Sequence, residues 1–246
     1  MDSILGFKYS KNVIFIASLF MGSLLSLTSS YAHEIDTSCL QFNIGHVSFK
    51  MIYVEVGESI RQSNIFISPS SYYIGQTEVT QELWEAVMGE NPSLNKGNDL
   101  PVEMISWSDC QTFIARLNIL TGKHFRLPTE AEWQYAAWGG NKSQGYKYSG
   151  NDSLSIVAWY NDDKTHPVAR KLPNELGLYD MSGNVWEWCL DNYPSEEVKD
   201  DPSCNNIFKV IHGGSWINKD WCCQPGTRSY YLILEKSSYI GLRLAL

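Results

Sequence analysis

Apolar and polar positions alternate over short runs, and these runs predict short strands. Residues 51–57 alternate as a half-buried strand does, and residues 64–67 and 72–75 indicate further strand. Beyond residue 141 the pattern predicts no convincing helix. That part of the chain has only short apolar pieces, at 156–160, 185–189, 210–211 and 240–244. The second half is therefore predicted to consist of turns and short strands.

Helix caps predict two helices in the first half of the chain. The first covers 81–88, where Thr80 can accept from exposed backbone donors and Gly89 can end the last turn. The second begins near Ser106, with Asp109 as its capping-box partner, and ends at residues 121–122. Its apolar positions fall at i, i+3, i+4 and i+7, which predicts one buried stripe of Cys110, Phe113, Ile114 and Leu117.

A third helix has the clearest start signal in the sequence. Thr129 and Glu132 can satisfy each other's exposed backbone donors, and Gly139 with Gly140 ends the pattern after about two and a half turns. No linker composition or internal repeat interrupts the chain after residue 51. We therefore predict one domain over 51–246, preceded by a polar lead at 33–50.

The N-terminus has the features of a signal peptide. Residues 13–27 are mostly apolar, follow Lys8 and Lys11, and are too short for a membrane span, which needs roughly 20 residues. Ser30 and Ala32 are small residues at the two positions that a signal peptidase recognises. We predict a signal peptide at 1–32, cleavage before His33, and an exported protein that is periplasmic, at the cell surface or extracellular, with no membrane span after cleavage.

Composition narrows the class of protein. Hydrophobic residues make up 43% of the chain and charged residues 19%, which is typical of a globular protein. The net charge of −8 argues against a nucleic-acid partner. Nine tryptophans and 14 tyrosines accompany 18 glycines, which favours a loop-rich core with large flat side chains.

Cysteine chemistry depends on the predicted export. An oxidising compartment would allow pairing among the six cysteines, which are Cys39, Cys110, Cys189, Cys204, Cys222 and Cys223. Cys222 and Cys223 are adjacent and would be strained as a mutual disulfide. One interpretation is therefore a structural disulfide for one of them, with Cys189 or Cys110 as partner, and a buried thiol for the other.

Several motifs in a fixed order give the chain a resemblance to a known family. They lie at residues 73–80 with Trp84, 101–102 with 106–107, 126–133, 177–188, 213–216 and 241–243. On these segments the chain resembles the formylglycine-generating enzyme family, also called the sulfatase-modifying factor domain. The resemblance implies an α+β fold, a loop-rich C-type-lectin-like fold with short sheets and two or three helices.

The resemblance also implies an activity and a copper site. Members of the family oxidise a cysteine of a sulfatase client to formylglycine with molecular oxygen and copper, which two opposed thiolates hold. Those cysteines lie five residues apart after the Gly-Gly-Ser segment, and the matching positions here are Asn218 and Cys223. Asn218 offers an amide in place of a thiolate, so Cys222 is the neighbouring candidate for the second ligand.

A structural calcium ion is the second implied cofactor. The family's ligands match Asp180, Gly183, Val185 and Glu187, which would supply carboxylates and backbone carbonyls, the oxygen set that a hard cation prefers. The alternative is that Asp180 and Glu187 are buried carboxylates that accept hydrogen bonds from loop amides.

Two functions stay open at this point. The first is a copper-dependent oxidase acting on a cysteine in an unfolded protein or peptide segment, with Cys223 as surviving ligand and with Ser215 and Trp216 shaping the floor of a groove. The second is a non-catalytic binding module with an unknown ligand at its C-terminal face. In variable proteins of this fold, the binding residues follow the Gly-Gly-Ser-Trp segment, which corresponds to residues 217–231 here, and the aromatic side chains in this stretch suit binding.

Overall fold

A computed structural model describes residues 38–57, 70–193 and 207–246. The predicted signal peptide at 1–32, the predicted strand at 64–67 and Cys204 lie outside the described residues. No helix in the described ranges is long and apolar enough to cross a membrane.

The first sheet is an antiparallel array of three strands in the order β1-β2-β3. Its strands are β1 (Cys39–Ile44), β2 (Val47–Val54) and β3 (Tyr72–Gly75). The strand predicted at 51–57 is present but shifted: β2 begins four residues earlier, at Val47, and ends at Val54. Residues 39–50, predicted as a polar lead, form β1 and the start of β2. Their apolar side chains Leu40, Phe42 and Ile44 alternate and pack on the core.

The three predicted helices are present with the predicted caps. They are α1 (Gln81–Met88), α2 (Trp107–Thr121) and α3 (Glu130–Ala137). Ser106 and Asp109 form a capping box at α2, and Thr129 and Glu132 form one at α3. Local hydrogen bonding therefore fixes where both helices begin.

The second half contains a four-stranded sheet. Its strands are β4 (Trp186–Asn192), β5 (Phe208–His212), β6 (Arg228–Leu232) and β7 (Ile240–Gly241), in the order β6-β5-β4-β7, and β7 is parallel to β4. The expectation of no helix beyond residue 141 was wrong by single turns. One helical turn, α4, covers Leu154–Val157, and 3₁₀ turns cover Gly140–Lys142 and Asp220–Cys223.

This second sheet separates two apolar cores. Trp186, Trp188 and Ile211 face one core, which includes α1 and α2. The alternate residues, among them Cys189 and Val210, face the other core, which includes Trp133 of α3. Short sheets with a few short helices make the fold α+β, as predicted.

Candidate functional site

The loop after β5 depends on two glycines with left-handed backbone. Gly213 has φ +99° and Gly214 has φ +73°. A Cβ on Gly214 would lie 2.8 Å from the sulfur of Cys223 and 2.9 Å from the carbonyl oxygen of Cys222. Glycine therefore allows the 3₁₀ turn Asp220–Cys223 to pack directly on this loop.

This packing leaves a cavity of about 530 Å³ over the face of the second sheet. We call it the aromatic cavity. Trp221 is exposed over 60% of its surface. Tyr230 is opposite Val210, so its ring lies on the other face of the sheet, with its centroid 4.5 Å from that of Tyr193. The lining of the aromatic cavity is mostly aromatic and apolar, and Arg228 is its only charged residue. The lining residues are Trp186, Ile211, Ile217, Asn218, Trp221, Cys222, Thr227, Arg228, Ser229, Tyr230, Tyr231 and Tyr239.

Asn218 lies in this cavity, but its oxygen is already engaged. The Asn218 Oδ1 atom accepts from Trp186 Nε1 at 2.8 Å and from Ser215 Oγ at 2.6 Å. Ser215 is fully buried, and Trp216 donates its indole N–H to the carbonyl of Ser238 at 3.1 Å. Neither residue lines the cavity, so the expectation that Ser215 and Trp216 shape its floor was wrong; Ser215 instead orients Asn218.

The two adjacent cysteines face different surroundings. Cys222 lines the aromatic cavity, whereas Cys223 is fully buried in a small core with Tyr148, Leu154 and Val157. Burial raises the pKa of Cys223 to about 12, and it also raises the pKa of Cys222. An opposed pair of thiolates, which a Cu(I) ion would need, is therefore not present in this cavity.

The expected structural disulfide is also wrong for the described cysteines. Cys110, Cys189, Cys222 and Cys223 are all free thiols and all buried, and Cys39 is a half-buried free thiol. Burial raises the pKa of Cys110 and of Cys189 well above the ordinary value, which makes both poor nucleophiles. Cys110 and Cys189 therefore act as small apolar side chains in the two cores.

Glu187, a predicted calcium ligand, forms a buried ion pair. Arg243 Nη2 lies 2.6 Å from Glu187 Oε1, Arg243 Nε lies 2.9 Å from Oε2, and both side chains are 0% exposed. Trp133 Nε1 also donates to Oε2 at 2.5 Å. The remaining guanidinium donors reach the carbonyls of Gly75 and Tyr179, each at 2.9 Å.

Two further carboxylates lie near this pair. Asp180 Oδ2 accepts from the amide of Ala169 at 2.7 Å, while its buried Oδ1 has no protein partner. Burial raises the pKa of Asp180 to about 6. Glu78, which the sequence analysis missed although it lies in a recognised motif, accepts from Asn184 at 2.8 Å and from the amide of Val185 at 3.2 Å. Its pKa is raised well above the ordinary value by burial, and then by Asp180 and Glu187.

The predicted calcium set does not fit this geometry as a whole. The guanidinium of Arg243 already neutralises Glu187. Within the described ranges, no three His, Cys, Asp or Glu side chains group as a metal site. Of the predicted carboxylates, only the free oxygen of Asp180 suits a cation.

This arrangement predicts that calcium adds little to stability. We expect the melting temperature of the protein to be the same in millimolar calcium and in excess chelator, because Arg243 supplies the positive charge beside Glu187. Differential scanning calorimetry in the two buffers tests this. A clear rise with calcium, lost in Asp180→Asn, would restore the calcium prediction.

A second cavity lies on the opposite face of the sheet, between α3 and the ends of β4 and β6. It holds about 450 Å³ and is lined by Glu130, Ala131, Gln134, Asp191, Asn192, Gly226 and Arg228. We call it the acidic cavity. Arg228 donates to Glu130 at 3.3 Å, and Asp191 Oδ2 accepts from the amide of Glu130 at 2.6 Å. His212 and Arg228 beside Glu130 lower the pKa of that carboxyl, against the effect of burial.

The match to a known family covers this architecture from β2 to β7. The sequence model described as "Sulfatase-modifying factor enzyme 1-like domain" matches residues 47–246. The chain belongs to the sulfatase-modifying factor family. The resemblance inferred from the motifs is thereby confirmed.

Relatives in the sulfatase-modifying factor family carry different functional names. The chain is 33% identical to the "Chaperone protein LppX" of Paenibacillus barcinonensis, over 70% of this chain and 80% of that one. It is 32% identical to the "Formylglycine-generating enzyme" of Streptomyces coelicolor, over 66% of this chain and 57% of the enzyme. Family membership therefore does not by itself assign oxidation.

A solved structure confirms the fold. The "Treponema denticola variable protein 1" superposes with a TM-score of 0.74 at 32% identity, over 84% of this chain and 98% of that one. The predicted C-type-lectin-like fold of the formylglycine-generating enzyme type is therefore correct.

Proposed function

We propose that this protein is a non-catalytic binding module of the sulfatase-modifying factor family, which holds its ligand in the aromatic cavity. The separation of the two cysteines carries the proposal. Cys222 faces the cavity and Cys223 is buried on the other side of the 3₁₀ turn, so no pair of thiolates converges on a metal. Copper does not fit these residues, and no oxidation step is derived through it.

The cavity itself has the features of a binding site. Trp221 exposes a large flat surface beside the other aromatic residues of the lining, which gives contact area at low cost in side-chain entropy. Asn218, Thr227 and Ser229 add polar groups among these aromatic residues. The similarity to a variable protein, and to a protein named as a chaperone, supports a role in which this surface contacts a partner.

Export belongs to the same proposal. Residues 1–32 have the pattern of a signal peptide, so we propose that the protein acts outside the inner membrane. The described cysteines are free thiols, and all of them except Cys39 are buried, so they need not be oxidised there.

Copper binding is the direct test of the non-catalytic assignment. We expect residues 33–246, purified under reducing conditions, to lose Cu(I) to a strong chelator, since one buried thiol and one cavity thiol do not oppose each other. We also expect no mass change when the protein is incubated with copper, oxygen and a peptide that contains Cys-x-Pro-x-Arg, the sulfatase motif whose cysteine the formylglycine-generating enzymes oxidise. The Streptomyces coelicolor enzyme serves as the positive control. Tight one-to-one binding that disappears in Cys223→Ser, with formation of formylglycine, would replace our proposal with the oxidase function.

The binding role needs its own variant pair. A mixed library of small molecules, oligosaccharides and peptides should yield binders that Trp221→Ala loses and Ile119→Ala keeps. Ile119 is 82% exposed on α2 and does not line the cavity, so its substitution is a matched surface control. If the two variants bind the same ligands with equal affinity, the aromatic cavity is not the binding site.

A further inference from the structure

The strand β6 has only one neighbour in its sheet. It stands first in the order β6-β5-β4-β7, and within the described residues it pairs with β5 alone. Edge strands of this kind present backbone donors and acceptors to another chain. Both cavities lie against β6, and Arg228 lines both of them.

The register shows which backbone groups face outwards. The carbonyl of Phe208 accepts from the amide of Tyr193 at 2.9 Å, so Phe208 and the alternate residues of β5 direct their backbone groups towards β4. Their opposite residues on β6 are therefore the ones that face away from β5. Arg228 and Tyr230 direct N–H and C=O groups to the open edge, and neither has a backbone hydrogen bond there within the described residues.

The two cavities lie on opposite faces of the same strand. Ser229 and Tyr231 are opposite Ile211 and Lys209, on the face that carries the aromatic cavity. Arg228 is opposite His212, on the face that packs on α3 and carries the acidic cavity. A strand added at this edge would direct successive side chains into one cavity and then the other, because side chains alternate between the two faces of a sheet.

We propose that the open edge of β6 docks an extended polypeptide segment as an added strand, with aromatic or apolar side chains in the aromatic cavity and basic side chains in the acidic cavity. This inference rests on the proposed binding function and names the partner class for that site. It adds to that function a partner whose side chains alternate in character and a second cavity that takes part in binding.

Charge complementarity selects the basic side chains. Arg228 already pairs with Glu130, so Asp191 supplies the negative charge that remains in the acidic cavity. Within the described residues only one oxygen of Asp191 is engaged, by the amide of Glu130. The aromatic cavity has no carboxylate in its lining. The net charge of −8 also favours a cationic partner over an anionic one.

Peptides that differ in the order or in the charge of their residues test the docking mode. The probes are fluorescent octapeptides: one alternates Tyr and Lys, one has four Tyr followed by four Lys, and one alternates Tyr and Glu. We expect the alternating Tyr–Lys peptide to bind full-length mature protein at least about tenfold more tightly than either of the others, measured by fluorescence anisotropy. Equal binding of the alternating and block peptides would overturn the proposal, since charge and composition alone would then explain it.

Methylation of the peptide amides tests the backbone bonds without altering the protein. In a docked strand only every second amide faces β6. We therefore expect N-methylation of either all the Tyr amides or all the Lys amides to weaken binding about tenfold, while methylation of the other set is tolerated. If both methylated peptides bind as well as the parent, strand addition is wrong.

Substitutions in the protein provide an independent arm. Tyr230→Pro removes the outward N–H without removing a ladder bond, and Tyr230→Ala is its matched control for loss of the ring. We expect the proline variant to bind about tenfold more weakly than the alanine variant, with near-ultraviolet circular dichroism confirming that both fold. Asp191→Asn should reduce the preference for Lys over Glu. Equal affinity of the two Tyr230 variants would overturn strand docking, while binders that depend on Trp221 would leave the proposed function standing.

Discussion

Replacing Arg243 with methionine should reduce the free energy of unfolding by about 3–5 kcal/mol, because it leaves Glu187 charged and unpaired in the core. Both side chains are 0% exposed, and the guanidinium also donates to two backbone carbonyls. The loss would be a large part of the roughly 5–15 kcal/mol that stabilises a typical domain. Urea unfolding followed by tryptophan fluorescence measures it.

A second arginine gives the matched control. Arg170 pairs with Asp99 at 3.1 Å, and both side chains are more than half exposed. Arg170→Met should therefore cost at most about 1 kcal/mol, since water can still solvate the remaining carboxylate. Adding Glu187→Leu to Arg243→Met should recover part of the loss, because removing both charges avoids an isolated one. Equal losses at the two arginines would show that burial of this pair is not what makes Arg243 important.

Replacing Gly183 with alanine should destabilise the protein by about 3 kcal/mol or more. A Cβ at this position would lie 2.2 Å from the backbone oxygen of Trp159, and the backbone has φ +79°. The added atom therefore meets main chain that is held in place by its own hydrogen bonds, since the amide of Asn184 donates to that same oxygen at 2.8 Å. The yield of folded protein and the urea midpoint both report the effect.

Gly177 separates the two causes of that loss. It has φ +84°, but no atom lies within 4 Å of its hypothetical Cβ. Gly177→Ala should cost only the left-handed strain of about 1–2 kcal/mol. A similar cost for both variants would mean that the loop around Trp159 moves aside easily.

The parts of the fold that the sequence predicted are those that local bonds determine. The capping boxes at Ser106 and Thr129 involve residues only three positions apart, so the sequence pattern alone is enough to predict their hydrogen bonds. The strand β1 was missed although Leu40, Phe42 and Ile44 alternate. Their burial depends on β2 and on the core, which the pattern alone does not show.

The site was predictable in position but not in chemistry. The segment after the Gly-Gly-Ser motif does contain the aromatic cavity, and Asn218 lies in it as counted. Adjacent residues in a 3₁₀ turn face different directions, so the sequence could not say that Cys222 would face the cavity and Cys223 the core. The calcium ligands stay a prediction, and the sequence could not show that Glu187 meets an arginine 56 positions away.

Residues 240–246 join the two sheets. Ile240 and Gly241 pair with β4, while Leu246 exchanges backbone bonds with Tyr73 of β3 and Leu244 accepts one from Gly75. A nascent chain lacks these bonds until residues 240–246 have left the ribosome. The domain therefore cannot complete either sheet before that point, and the unfinished sheet edges need shielding from aggregation until then.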